Sequence, residues 1–311
     1  MMSPQFLTIS DFCTERGETL PEVSLSYELS GRPLGAAPVV LVNHALTGNS
    51  SVAGPDGWWA DLIGPGKAIP TEEYTILCFN IPGNCYHSEP LPRHDLFTLG
   101  DVARLFLEGL RLLGISRLHS VIGASLGGGL VWHLAALAPD LSDRFIPIAC
   151  HYKADDWLLA QTLVQQLLLD GPRPLRDARI HGMLCYRTPQ SLDVRFRGES
   201  KEDGTPKITD WLRFHGRRLE ERFELEAYKV MTCLTSQIHA ADDPSVFAPI
   251  RDKLFLVNID SDLLFPAFLT EELAGVLGAR RYVIHSIHGH DAFLMEYEQL
   301  SAIVREIFGR R

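Results

Sequence analysis

The sequence lacks several features that would mark a special class of protein. No apolar run approaches the roughly 18 residues that a membrane-spanning helix requires, and the most apolar stretches, 38–42 and 130–138, are much shorter. The six cysteines show no CxxC spacing, which argues against a disulfide framework and favours reduced thiols. Basic residues number 29 against 39 acidic ones, for a net charge of −10. Because nucleic-acid binding needs a basic face, we expect no nucleic-acid partner.

The N-terminal segment also lacks a targeting pattern. Residues 1–14 include Asp11 and Cys13 and have no basic stretch ahead of an apolar core, so we predict no signal peptide and no membrane partner. With the cysteine pattern, this predicts a cytoplasmic protein. The composition, 46% hydrophobic and 22% charged over 311 residues, is that of a globular chain. Its length suits one large domain or one domain with an insertion.

The first half of the sequence shows an alternation of strand and helix patterns. Strand patterns occupy 23–29, 38–43, 74–80, 119–123 and 145–149. Helical patterns separate two pairs of them, at 100–113 and 130–138. Strand–helix–strand repetition with short connections predicts a mostly parallel sheet with helices on both faces.

The pattern changes after Cys150. Two helical patterns and a polar loop follow, at 157–169, 219–238 and 197–207. Strand patterns then return and a helical pattern ends the chain, at 253–259, 281–285 and 291–308. We therefore predict a core made of residues 1–150 and 242–311, interrupted by a helical lid at 151–241.

The strongest motif is Gly-Ala-Ser-Leu-Gly at 123–127. It follows a predicted strand and opens a predicted helix, which is the context of a nucleophile elbow. A serine at such a sharp turn needs neighbours without bulky side chains, and the helix N-terminus favours developing negative charge. A glycine-rich turn with an idle serine and a phosphate-binding loop are the alternatives, although no Lys follows at the Walker position. We predict that Ser125 is a nucleophile.

A serine hydroxyl needs a base, and the base needs an orienting acid. In α/β-hydrolases the acid precedes the histidine along the chain. Asp262 and His290 each follow a predicted strand, and we predict them as acid and base; Asp260 and His288 are the rival candidates. The run 285–291 also permits a metal site, a minor alternative because no second His/Asp cluster offers the remaining ligands.

An acyl-transfer site must also bind the oxyanion, usually with two backbone N–H groups. The N–H of Leu126, directly after the serine, is the first candidate. The second is the N–H of Leu46, in the loop 44–48 that leaves the predicted strand 38–43. A plain strand-to-loop turn is the alternative for that loop.

At this point the sequence resembles the homoserine O-acetyltransferase family of methionine biosynthesis. The matching segments are 44–48 (HALTG), 57–59 (GWW), 63–67 (IGPGK), 85–86 (CY), 123–128, 261–266 (SDLLFP) and 289–294 (GHDAFL). The resemblance implies an α/β-hydrolase core with a helical lid and usually a homodimer formed through that lid. It also implies a Ser125–His290–Asp262 triad that moves an acetyl group from acetyl-CoA to L-homoserine through an acyl-serine. Acetyl-CoA is then a substrate, and no bound cofactor or metal is expected.

The resemblance further implies residues that hold the amino-acid substrate. The family has an Arg seven residues before a Tyr in the lid, and Arg179 and Tyr186 have that spacing. Asp291, after the predicted base, is expected to meet the substrate ammonium. A planar cation and a carboxylate suit a zwitterion. The alternative for Arg179 is a surface pair with Asp177 or a neighbouring residue.

The sequence departs from the family pattern in a few places. Leu126 stands where the family often has Met, His87 replaces the usual Gly, and 49–51 lacks the usual acidic-then-His pattern. These differences concern the acyl acceptor more than the triad. An esterase or thioesterase, transfer to another hydroxy amino acid such as L-serine, and use of succinyl-CoA therefore remain alternatives.

Overall fold

The computed structural model describes residues 4–310 and contains ten strands and nine α-helices in those residues. The strands are β1 (Gln5–Cys13), β2 (Thr19–Gly31), β3 (Val39–Asn43), β4 (Ile63–Gly64), β5 (Ile69–Pro70), β6 (Thr75–Phe79), β7 (Ser120–Ala124), β8 (Phe145–Ile148), β9 (Phe255–Ile259) and β10 (Arg280–Ile284). The helices are α1 (Leu99–Leu112), α2 (Leu126–Leu137), α3 (Asp156–Leu169), α4 (Pro174–Tyr186), α5 (Pro189–Phe196), α6 (Lys207–Glu220), α7 (Leu225–Ser236), α8 (Ala267–Leu277) and α9 (Tyr297–Gly309). Two 3-10 helices precede β9 and α9, at Pro244–Lys253 and Gly289–Leu294.

Eight strands form one sheet in the order β1-β2-β6-β3-β7-β8-β9-β10. β1 and β2 are antiparallel to their neighbours, whereas the strands from β6 to β10 pair in parallel. The central strands are buried at every position because helices cover both faces. Neighbouring residues of β3 enter different clusters: Leu41 packs on one face, and Val40 and Val42 pack on the other. The predicted fold class, a mostly parallel α/β-hydrolase sheet, is confirmed.

The sequence did not indicate β1 as a strand. Only Ile9 and Phe12 on it are fully buried, because it is an edge strand with one face to solvent. Its pairing with β2, from Gln5 opposite Tyr27 to Cys13 opposite Thr19, holds it in the sheet. A short apolar alternation of this kind carries too little signal to be separated from a loop.

Helices α3 to α7 lie between β8 and β9, and we call Asp156–Ser236 the helical segment. Within it α3 packs against α4 and α7, and α4 packs against α6. The predicted helix at 219–238 is wrong at its start. The amide of Phe223 closes the last turn of α6 on Leu219, and extended Glu224 then opens α7. The core and lid boundaries at 150 and 241 stay a prediction.

The predicted last helix is also divided, because the 3-10 turn Gly289–Leu294 ends before α9 begins at Tyr297. Within residues 4–310, none of the helices has both the length and the apolar character needed to span a membrane.

Candidate active site

Ser125 occupies a sharp turn between β7 and α2. Its backbone has φ 57° and ψ −126°, a conformation that costs a non-glycine residue about 1–3 kcal/mol. The flanking glycines make the turn possible. A Cβ at Gly127 would lie 2.2 Å from the carbonyl oxygen of Asn43, and one at Gly123 would lie 2.4 Å from that of Gly127. The sequence motif therefore marks a close approach of backbones, with the serine at its apex.

The structure brings the three predicted catalytic side chains together. The Oγ of Ser125 lies 2.9 Å from Nε2 of His290, and Nδ1 of His290 lies 2.7 Å from Oδ2 of Asp262. These residues stand 165 and 28 positions apart in the chain. All three are buried, with at most 8% of each residue exposed. The Nδ1–H tautomer of His290 fits both contacts, since Asp262 accepts its proton and Nε2 remains free to accept that of Ser125.

The surroundings of Asp262 and His290 fix their positions. The second oxygen of Asp262 accepts hydrogen bonds from the amides of Leu264 at 2.8 Å and Phe265 at 2.9 Å. The rings of Phe265 and Phe293 each lie 5.5 Å, centroid to centroid, from the imidazole. The carboxylate is therefore held by backbone donors, and the imidazole is held in an apolar aromatic frame.

The rival acid and base lie outside this set. Asp260 is bonded to Nδ1 of His285 at 2.9 Å and to the amide of Ser286 at 3.0 Å, on the exposed side of the loop. The Nδ1 of His288 lies 2.9 Å from Oγ of Ser191. In residues 4–310 there is no group of three or more His, Cys, Asp or Glu side chains placed to hold a metal ion.

The loop 44–48 approaches the elbow from β3 and is held by His44, a residue that the sequence analysis did not single out. Burial lowers the pKa of His44 to about 4, so its ring is neutral. Its Nδ1 donates to the carbonyl of Ala45 at 2.9 Å, and its Nε2 accepts from the amide of Ile81 at 3.0 Å. Since C=O and N–H point in opposite directions across a peptide bond, the N–H of Leu46 points away from His44. The oxyanion role of Leu46 and Leu126 stays a prediction.

Arg179 lies near the hydrogen-bonded set through Tyr186. Its guanidinium carbon is 5.6 Å from the Tyr186 ring centroid, and that ring is 5.8 Å from the ring of His290. Burial raises the pKa of the Tyr186 phenol well above its ordinary value. Asp177 is bonded to Arg173, at 3.3 Å, rather than to Arg179. The described residues therefore show no ion pair between Arg179 and Asp177.

Asp291 is engaged by a residue that the sequence analysis did not place. Its Oδ2 lies 2.8 Å from Nε of Arg187, and the two side chains are 19% and 13% exposed. Close by, the hydroxyl of Thr188 donates to the carbonyl of Ile287. Arg187 directly follows Tyr186 and Asp291 directly follows His290, but a pairing between residues 104 positions apart has no local signal. The Asp291 carboxylate would have to bind Arg187 and any substrate ammonium at the same time.

A small cavity lies over Ser125. Leu46 and Leu264 form part of its wall, and α3, α4 and α7 form the rest. The space open to the centre of a water molecule is about 30 Å³, which holds one or two waters. The serine therefore faces a narrow chamber whose lining carries no charged side chain.

The fold defines a class, the α/β-hydrolases, and the family described as the alpha/beta hydrolase fold matches residues 38–297. The curated homoserine O-acetyltransferase of Salinibacter ruber is 34% identical to this chain, over 96% of each protein. The chain belongs to the homoserine O-acetyltransferase family, as its motifs indicate.

Two solved structures place the fold among known enzymes. The homoserine O-acetyltransferase of Staphylococcus aureus has a TM-score of 0.85 and 26% identity, over 99% of this chain and 96% of that chain. An acetylester hydrolase of Corynebacterium glutamicum has a TM-score of 0.83 and 18% identity, over 99% of this chain and 96% of that chain. At that lower identity, the second similarity shows a common fold alone.

Proposed function

We propose that this protein is an enzyme of methionine biosynthesis that transfers the acetyl group of acetyl-CoA to the hydroxyl of L-homoserine. One observation carries the proposal: the hydrogen-bonded series from Ser125 through His290 to Asp262, at a strained strand–helix turn. Membership of a family whose curated relatives are named homoserine O-acetyltransferases supports the choice of substrates. The triad alone serves acyl transfer to any nucleophile.

In the first half-reaction, His290 takes the proton of Ser125, whose Oγ attacks the thioester carbonyl carbon. The oxyanion would be held by the N–H groups of Leu126 and Leu46. The intermediate collapses with cleavage of the C–S bond, and His290 returns its proton to the departing CoA sulfur. Asp262 holds the imidazole in one tautomer and stabilises its charged form. The products are free CoA and acetyl-Ser125.

In the second half-reaction, the hydroxyl of homoserine replaces that of serine. His290 takes its proton, and the oxygen attacks the acetyl-serine carbonyl. Collapse of the second intermediate breaks the bond to Oγ, and His290 returns the proton to Ser125. O-acetylhomoserine leaves, and the enzyme is restored. The order of events is ping-pong, because CoA departs before homoserine reacts.

The helical segment would select the acceptor. Arg179, which lies beside Tyr186, would pair with the substrate carboxylate, and Asp291 would share its charge with the substrate ammonium. Transfer rather than hydrolysis would require that water be kept from the acyl-serine, since an acyl-serine open to solvent would react with water.

A homodimer through the helical segment is the expected assembly. On α3, Leu159, Leu163 and Leu167 are 43%, 55% and 65% exposed, and their spacing places them on one helix face. A contiguous apolar stripe of this kind suits a second copy of the chain. We expect light scattering to give twice the chain mass. A Leu163→Glu/Leu167→Glu protein should be monomeric, whereas Val276→Glu, exposed on α8, should not; a monomeric wild type would contradict the assembly.

The proposed activity is tested by thiol release from acetyl-CoA with and without L-homoserine. We expect homoserine to accelerate release about tenfold or more, with parallel double-reciprocal plots and O-acetylhomoserine as product. Equal release without an amino acid would instead identify a thioesterase. Parallel assays with L-serine and with succinyl-CoA test the other acceptor and the other donor. Ester hydrolysis without any transfer would reject the proposal.

A further inference from the structure

Two buried polar atoms without a partner belong to residues that line the chamber over Ser125. They are Oε1 of Gln165 on α3 and Oγ1 of Thr232 on α7; neither has a hydrogen-bond partner in the part of the chain that the structure describes. Gln165 is 8% exposed and Thr232 is 1% exposed. A buried polar group without a partner is destabilising, so a role in binding would explain why both atoms are kept.

Three other polar side chains of the wall donate hydrogen bonds within the protein. The hydroxyl of Thr162 donates to the carbonyl of Leu158 at 2.9 Å, and that of Thr235 donates to the carbonyl of Met231 at 2.8 Å. The thiol of Cys185 donates to Oε1 of Gln161 at 3.3 Å. Gln165 and Thr232 differ from these three residues because each has a buried polar atom without a partner in the described part of the chain.

The orientation of the Gln165 amide is fixed by its surroundings. Its Nε2 lies 3.1 Å from the carbonyl oxygen of Ala178 and 3.0 Å from Nδ1 of His181. Rotating the amide would place Oε1 against a carbonyl oxygen, which repels it. Both N–H groups are therefore used by α4, and Oε1 can only accept a hydrogen bond. The ligand group that meets it must carry an N–H or O–H.

We propose that Gln165 and Thr232 form a specificity-determining pair that binds an N–H group of a substrate next to the acyl-serine. Gln165 accepts from this N–H, and the Thr232 hydroxyl pairs with a polar group of the same substrate. This inference rests on the proposed function. Two substrates carry such a group: the acceptor amino acid through its ammonium, and acetyl-CoA through the amides of its pantetheine arm.

The matched pair Thr232→Val and Thr235→Val tests the proposal. Both threonines lie on α7 and line the chamber, and valine keeps their shape. The Thr232 hydroxyl has no partner in the described chain, whereas that of Thr235 bonds to the helix backbone. We expect Thr232→Val to lower kcat/KM about two- to tenfold with an unchanged or higher melting temperature. Thr235→Val should keep its kcat/KM.

The second variant is Gln165→Leu, with Gln166→Leu on the exposed side of α3 as control. Leucine removes the acceptor but also the bonds to Ala178 and His181, so its melting temperature is measured as well. If the N–H is the acceptor's ammonium, KM for homoserine should rise about ten- to hundredfold with unchanged acetylation of Ser125. If it is the pantetheine amide, the acetylation half-reaction should slow about two- to tenfold instead.

The outcomes separate this inference from the proposed function. An active wild type whose Thr232→Val and Gln165→Leu variants keep both half-reactions would overturn the inference alone, and would assign the two atoms to bound solvent. A fall in Thr235→Val equal to that in Thr232→Val would also overturn it, because it would point to packing. A wild type that transfers no acetyl group would overturn both.

Discussion

The sheet core and the helical segment contribute different kinds of group to the surroundings of Ser125. From the core come Ser125, Asp262 and His290, each at the end of a strand and linked by short hydrogen bonds. From the helical segment come neutral side chains, Gln165 and Thr232 among them, together with Arg179 behind Tyr186. The first set fits acyl chemistry in general, and the second set fits the choice of substrate. On the proposed function, the core would carry the chemistry and the helical segment would carry much of the selectivity.

Replacing Ser125 should abolish the acyl transfer that we assign to the residues of the sheet core. Ser125→Ala removes the atom that bears the acetyl group, so we expect transfer to fall by a factor of about 10⁴ or more. Label from acetyl-CoA should no longer attach to the protein. Ser120→Ala serves as the control and should keep activity, because Ser120 lies at the start of β7, the strand that leads to Ser125. Full activity of the Ser125 variant would exclude an acyl-serine.

Asp262→Asn tests the acid of the core. The amide keeps the shape but favours the wrong tautomer of His290, so we expect kcat to fall about 10³- to 10⁴-fold. Asp260→Asn is the matched control, since that carboxylate bonds to the exposed His285, and it should stay within about twofold. A large loss of kcat in Asp260→Asn together with near-normal kcat in Asp262→Asn would show that the acid is assigned wrongly.

Arg179→Ala tests the helical segment. Losing a charge-assisted contact to the acceptor's carboxylate should raise KM for homoserine about ten- to hundredfold. The acetylation burst from acetyl-CoA should stay nearly intact, because that half-reaction does not use the contact. Arg173→Ala, which breaks a surface pair with Asp177, is the control. Equal damage to both half-reactions would show that Arg179 serves folding or CoA.

The smallest expected effect concerns stability of the core against acid. Burial lowers the pKa of His44 and of His133 from 6.5 to about 4. The unfolded chain therefore takes up protons before the folded one does. The resulting stabilisation is complete above about pH 6.5 and is lost as the pH falls towards about 4. Lowering the pH from 8 to 6 should therefore reduce the free energy of unfolding by about 1 kcal/mol for each histidine.

Urea unfolding at the two pH values measures this loss. Together, His44 and His133 should make the free energy of unfolding fall between pH 8 and pH 6. The His133→Gln variant should remove about half of that fall. His285→Gln, on the exposed loop beside Asp260, should leave it unchanged. A wild type with equal stability at pH 8 and pH 6 would contradict the neutral, buried state of these rings.

The sequence was most informative where local constraints are strong. The glycines at 123 and 127 predicted the elbow because a Cβ at either position collides with backbone. Asp262 and His290 followed from strand order, since the carboxyl ends of parallel strands share one edge. The break between α6 and α7 was missed, because apolar periodicity continues through Phe223 while the backbone turns.

Contacts between distant elements could not be predicted from the sequence, for a different reason. Helix packing determines the pairing of Arg187 with Asp291 and brings Gln165 and Thr232 to the same cavity, and no local pattern encodes that. The role of His44 was hidden for the same reason, since its partner Ile81 lies on another loop.

The contacts around Asp291 carry one more consequence, for attempts to shorten the protein. Arg187, Thr188 and Ser191 of the helical segment bond to Asp291, Ile287 and His288, which flank His290. Excising those helices would remove these three contacts from the loop that carries His290. We therefore expect a shortened protein to lose precision in the position of its base, and not only to gain a more open site.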